Sequence, residues 1–168
     1  RRLLPHEDLI YVADSKFCPY GEKTPQAIQE RARQITRFFL ARKVKLIVVA
    51  CNSASVAALK ELRAEFPLPI VGVEPAIKQA ALFTKKKKIG VLATGLTLSG
   101  ERFTSLVEQF GGGITVVNQA CPGLVAQVEA GAIDTPETVA MLQHYLEPLE
   151  EKGVDVVVLG CTHYPFLR

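Results

Sequence analysis

Cys51 and Cys161 each close a run of branched apolar residues, and each is followed at once by small polar residues. Residues 44–53 align with residues 154–163 at a constant offset and without gaps. Ala50 falls on Gly160, Cys51 on Cys161 and Asn52 on Thr162. A thiol at the C-terminal end of a strand, just ahead of a helix, sits where backbone amides and the helix macrodipole favour an anion. The same amides, with the hydroxyls of Ser53 and Thr162 and the amide of Asn52, suit a substrate carboxylate. Two such units related by a pseudo-two-fold would set one thiol on each side of a ligand. That arrangement serves the transfer of a proton from one face of a carbon to the other. One group acts as acid and the other as base, and the roles exchange with direction. His163, two residues beyond Cys161, can take or return its proton or stabilise its thiolate as imidazolium.

The remaining chemistry-bearing residues are less specific. A lone buried cysteine usually acts as a small apolar filler, and Cys18 and Cys121 are read that way. Tyr20 stands between Pro19 and Gly21 in a firm turn that presents its ring outward or across a cleft. Thr94 and Thr97 flank a helix entry. A metal site is not expected, because zinc ligands cluster and the Cys–His pair close in sequence is Cys161 with His163. There is no glycine-rich phosphate loop of the Walker or dinucleotide type. Two other classes stay open: a non-catalytic amino-acid-binding domain, and a thiol redox protein with a reversible disulfide between Cys51 and Cys161.

These residues need rigid elements behind them. The solid apolar run at 154–159 reads as a parallel strand buried on both faces, with the polar cluster at its C-terminal end, where open α/β sheets bind ligands. Residues 44–50 read as its counterpart. Further strands are expected at 8–13, 70–73, 89–93 and 114–117. Thr24 with Pro25, and Thr135 with Pro136, are N-cap-plus-proline helix starts. The first of these helices buries Ile28, Ala32, Ile35 and Phe39, and the second Val139, Leu142, Leu146 and Leu149. Ser53 or Ser55 is expected to cap the helix after Cys51, with Val56, Leu59 and Leu62 facing inward. Strand and helix alternate throughout, which implies a parallel α/β fold. A boundary near Glu74 gives domains 1–73 and 74–168, each with one cysteine unit.

The chain of 168 residues can bury a core as one or two small domains. Its net charge of +3 is modest and dispersed apart from the lysines at 85–88, which read as a solvated loop and not as a nucleic-acid footprint. No stretch has the length and apolarity of a membrane span, and no secretory signal is recognised. Four widely spaced cysteines in a chain of this length imply a reduced, cytoplasmic protein. Both ends read as cut from a longer chain.

ACNSAS (50–55) and GCTHYP (160–165), with ADSKFCPYGEK (13–23) and GVEPAIK (72–78), resemble the glutamate racemases of the aspartate/glutamate racemase superfamily. The likeness covers essentially the whole chain. GCTHYP is its most specific part, because aspartate racemases of the superfamily typically carry Glu where His163 stands. The resemblance implies two pseudo-symmetric α/β domains with the active site in the cleft between them, often as a homodimer. It implies cofactor-independent interconversion of L- and D-glutamate, supplying D-glutamate for peptidoglycan. Cys51 and Cys161 would be the acid/base pair, the first acting on D-glutamate and the second on L-glutamate, with His163 assisting Cys161. Tyr20, Gly21, Asn52, Ser53 and Thr162 would hold substrate, with Thr94 and Thr97 lining the pocket. Another amino-acid or hydantoin racemase of the superfamily is the alternative. The chain departs from the family pattern in carrying Ser53 for the usual Thr, and Gly95 one place early between Thr94 and Thr97. The family's first strand, whose Asp-Ser pair assists the first cysteine, is absent; Asp14 and Ser15 belong to the next strand and do not replace it.

Overall fold

The computed structural model describes residues 3 and 5–167. Thr24 accepts a hydrogen bond from the Ala27 amide and opens helix α1 (Pro25–Leu40), with proline in its first turn. Strand β1 (Ile47–Val49) leads through Cys51 into α2 (Asn52–Glu65), and Phe66 ends that helix ahead of β2 (Ile70–Gly72). The short α3 (Ile77–Phe83), β3 (Lys88–Ala93), the one-turn α4 (Gly95–Leu98) and α5 (Glu101–Phe110) follow. The chain continues with β4 (Thr115–Ala120), α6 (Leu124–Glu129), α7 (Pro136–Glu151), β5 (Val156–Leu159) and a 3-10 turn over Tyr164–Leu167.

The strands form two parallel sheets. β1 pairs with β2 in register Ile47 to Ile70, and β3 sits between β4 and β5. This is the parallel α/β fold that the alternation implies. Each sheet has its own core: Ile28, Ile47, Ala58, Leu62 and Ile70 around the first, and two clusters on opposite faces of the second. Gly90 lies in the central strand because Leu149 of α7 packs where a Cβ would stand, 2.2 Å from its Cδ2. Among the described residues no helix is long and apolar enough to cross a membrane.

Several expectations are corrected. Residues 8–13 form no strand; Leu9, Ile10 and Tyr11 are exposed, Tyr11 to 85%. Branched and aromatic residues favour strands only where a neighbour takes up their backbone groups, and among the described residues none pairs with this segment. Burial on both faces holds for β3, whose residues from Ile89 to Ala93 are all buried, and fails for β5, where Val157 and Leu159 are 41% and 42% exposed. The difference is position: β3 is central and β5 borders it on one side. The buried face of α7 carries Thr138, Tyr145 and Leu149, whereas Val139 points out. Thr138 and Tyr145 can be buried because their hydroxyls donate to the Ala132 and Pro122 carbonyls at 2.6 and 2.7 Å. The lysines at 85–88 are exposed, but Lys88 already belongs to β3, and the Lys85 and Lys86 amides are tied to the Asp155 carboxylate.

Candidate active site

Cys51 is itself the N-cap of α2. Its Sγ accepts from the Ala54 amide at 3.5 Å, while Ser53 and Ser55, the expected caps, lie buried within the first turn. A sulfur in the cap position receives the amide that would otherwise be orphaned, so the end of the helix points its dipole at the thiol. Two effects then oppose each other. Burial raises the Cys51 pKa and is the larger, whereas the Ala54 and Ser53 amides lower it. The resting group is a thiol. Asn52, next in the helix, has a buried Oδ1 that pairs with no donor among the described residues.

Cys161 follows β5 and the tight Gly160, whose position admits no side chain: a Cβ there would stand 2.9 Å from the Ala93 Cβ. The thiol is buried and burial pushes its pKa up to about 11, against the lowering effect of the His163 and Tyr164 amides. The His163 ring bridges outward from it. Nδ1 lies 3.7 Å from Cys161 Sγ, and Nε2 lies 2.6 Å from Glu129 Oε1 at the end of α6. Thiol, imidazole and carboxylate thus form a chain of contacts, the arrangement by which a third group orients a histidine. The two cysteine units meet directly, because the Thr162 hydroxyl donates to the Ala50 carbonyl at 3.4 Å.

The threonines and Ser53 form one small hydroxyl network. Ser53 Oγ lies 2.9 Å from Thr94 Oγ1 and 3.3 Å from Thr97 Oγ1, and Thr94 caps α4 through the Thr97 amide. Thr97 is wholly buried, so its hydroxyl serves this network and presents no surface to a ligand. Gly21 packs directly on Thr94; a Cβ there would come within 2.4 Å of the threonine Cγ2. Tyr20 does not project outward. It is half-buried, and its hydroxyl donates to the Asp14 carboxylate, which is also gripped by Arg31 Nε at 2.9 Å. That guanidinium holds the Asp14 pKa below the usual carboxylate range. Cys121 is a buried core residue as expected, whereas Cys18 is only half-buried and its Sγ lies 4.0 Å from His163 Nε2.

A cleft of about 600 Å³ opens where the two cysteine units meet, lined by Ala50, Glu129, Thr162, His163, Tyr11 and Phe166 among others; neither Cys51 nor Cys161 is part of its lining. Its volume suits a small molecule. Glu129, Asp14 and Arg31 were not among the expected site residues. Glu129 closes an unremarkable helix, and only folding carries its carboxylate to His163; no local pattern marks it.

The chain resembles known proteins along its full length. The family model described as Asp/Glu/Hydantoin racemase matches residues 1–168. The glutamate racemase of Ectopseudomonas mendocina is 52% identical over 169 residues, and that of Stutzerimonas stutzeri 49%; each match covers 100% of this chain and 64% of the relative. Escherichia coli glutamate racemase, solved with L-glutamate and the activator UDP-MurNAc-ala, superposes with a TM-score of 0.87 at 38% identity, covering 99% of this chain and 64% of that one. The Francisella tularensis enzyme, solved with D-glutamate, gives 0.81 at 28% identity, covering 99% and 62%. The chain therefore spans about 64% of the length of the relatives it matches. With the two cysteine units in contact through Thr162 and Ala50 and a family match over every residue, the chain belongs to the Asp/Glu/Hydantoin racemase family.

Proposed function

We propose that this chain carries the proton-transfer centre of a glutamate racemase, which inverts Cα by a two-base mechanism using Cys51 and Cys161. The observation that carries the reading is the meeting of the two strand-end cysteine units across the Thr162–Ala50 hydrogen bond, beside a cleft of substrate size. One cysteine, as thiolate, takes the Cα proton, and the other, as thiol, delivers a proton to the opposite face; the return reaction exchanges the roles. His163, ordered by Glu129, takes the Cys161 proton and returns it. The unpartnered Asn52 Oδ1 is an acceptor for the substrate ammonium, whose positive charge offsets the cost of a buried thiolate. The α2 N-terminus with Ser53, and Thr162 from the other unit, receive the carboxylates, and Tyr20, Gly21 and Thr94 shape the wall behind them. Relatives named as glutamate racemases, and neighbours solved with L- and D-glutamate, support glutamate over other substrates. On this reading the protein acts in the cytoplasm as a homodimer, without a cofactor, and supplies D-glutamate for peptidoglycan. The two sheets are the cores of two domains that meet near Glu74.

The test is turnover of each enantiomer of glutamate and of aspartate, followed by circular dichroism, in the protein expressed from its complete reading frame. Wild type should interconvert D- and L-glutamate, and Cys51→Ser and Cys161→Ser should each lose about 10³-fold or more, within the range of a positioned acid–base group. Turnover of aspartate in preference to glutamate would overturn the substrate, and full activity in either variant would overturn the mechanism.

A further inference from the structure

The His163 ring carries a second set of neighbours that proton transfer does not use. Cys18 Sγ, a Glu129 carboxylate oxygen and His163 Nε2 all lie within 4.8 Å of one another. They come from three separate elements: the loop before Tyr20, the C-terminal end of α6, and the turn after β5. We propose that these three side chains form a binding site for a borderline divalent cation of the Zn2+ type, and that filling it arrests proton transfer at Cys161. The second half of this statement rests on the acid/base reading of Cys161 and His163 given above.

The donor set selects the ion. One thiolate, one imidazole nitrogen and one carboxylate oxygen are the ligands that zinc takes, and hard cations such as Mg2+ or Ca2+ would not use the sulfur. The sulfur-to-nitrogen spacing is nearly right without rearrangement. Tetrahedral zinc with ordinary bond lengths needs its sulfur and nitrogen donors roughly 3.6 Å apart, and Cys18 Sγ already stands 4.0 Å from His163 Nε2. The Nε2–Oε1 pair is a hydrogen bond at 2.6 Å and must open to admit the ion. Glu129 can open it, because its side chain is 42% exposed at the helix end. The ion has a route in, since Glu129 and His163 both line the open cleft. A fourth position then faces solvent, as in zinc sites with three protein ligands.

Binding releases the Cys18 thiol proton to solvent and forms Zn–S, Zn–N and Zn–O bonds; no electron changes hands. An ion on Nε2 replaces the hydrogen bond to Glu129 that orients the His163 ring and occupies that nitrogen. Nδ1 still faces Cys161, but the ring can no longer cycle a proton for that thiol. The site therefore acts as a metal-operated lock on one of the two bases.

Co2+ is the probe that reads the ligands directly, added to the metal-stripped protein expressed from its complete reading frame. Wild type should give a sulfur-to-cobalt charge-transfer band in the near ultraviolet, which Zn2+ titrates away while racemisation falls. Cys18→Ser should lose the band and require at least about tenfold more Zn2+ for half-inhibition, as loss of a ligand should cost no less than loss of a supporting residue. Its metal-free activity and far-ultraviolet circular dichroism should match wild type, and Cys18→Ala should repeat the result. Cys161→Ser should keep the band. A band that survives in Cys18→Ser and disappears in Cys161→Ser or Cys51→Ser would overturn the proposal, because the ion would then sit between the two bases. Absence of any cobalt band in wild type would overturn it as well. The band needs no turnover, so a protein that proves not to racemise glutamate still reports on the metal site.

Discussion

At the scale of single residues the site is a balance between burial and local donors. Burial wins at both cysteines, so each rests as a thiol, and the proposed two-base reading requires that a thiolate be made when substrate arrives. Glu129 is where this can be tested selectively, because it touches His163 and lies outside the two cysteine motifs. Glu129→Gln keeps the shape and removes the carboxylate charge beside His163 Nε2. It should lower kcat roughly a hundredfold, the lower end of what a positioned acid–base group contributes, with KM nearly unchanged. A rise in KM at constant kcat would make it a binding residue instead. The sequence made Cys51, Cys161 and His163 legible because their repetition and spacing are local. It could not show Glu129, or the proximity of Cys18 to His163, since both depend on chain segments far apart that meet only in the fold. It also misplaced the cap of α2. Cysteine is a weak acceptor, and only the observed geometry gives it the Ala54 amide ahead of two nearby serines.

At the scale of elements, the site depends on close approaches that leave no room for side chains. Gly21 lets the Tyr20 segment lie against Thr94, and Thr94 in turn caps α4 and joins Ser53 of the other unit. Gly21→Ala should push these apart and cost about 1–3 kcal/mol, as overpacking generally does, which a urea titration monitored by circular dichroism would measure. An unchanged midpoint would mean that the loop yields freely. Thr135 offers a simpler check. It caps α7 through the Thr138 amide, so Thr135→Ala should lose about 1 kcal/mol in the same titration. The helices with N-cap and proline signals were legible because caps are local chemistry. The strand expected at 8–13 was not borne out, and of the expected α7 stripe Leu142, Leu146 and Leu149 pack on the core while Val139 points out and Thr138 and Tyr145 are buried besides. Strand pairing and the burial of satisfied hydroxyls at Thr138 and Tyr145 are decided by tertiary partners.

At the scale of the whole molecule, two parallel sheets meet through the hydroxyl network and the Thr162–Ala50 contact, and their strand ends share one cleft. The same burial that keeps the cysteines protonated makes stability depend on pH. Cys18 and Cys161 are raised to about 11 and Cys121 to about 12, each from 9.0 and each chiefly by burial. Above pH 9.0 the unfolded chain therefore gives up these protons first, and the folded state binds more of them. Unfolding free energy should be insensitive to these groups below pH 9.0 and decline as pH rises toward 11. Cys121→Ala should flatten that decline in urea titrations run at successive pH values; an equal slope in the variant would show that the thiol does not contribute. The two-base reading itself is tested most directly by racemisation in deuterium oxide, stopped at low conversion. If one cysteine removes the Cα proton and the other delivers from the opposite face, the product enantiomer will carry solvent deuterium at Cα while the recovered substrate keeps its protium. Deuterium in the recovered substrate at the same early stage, or product that retains the original protium, would point to a single base serving both faces and would contradict the account.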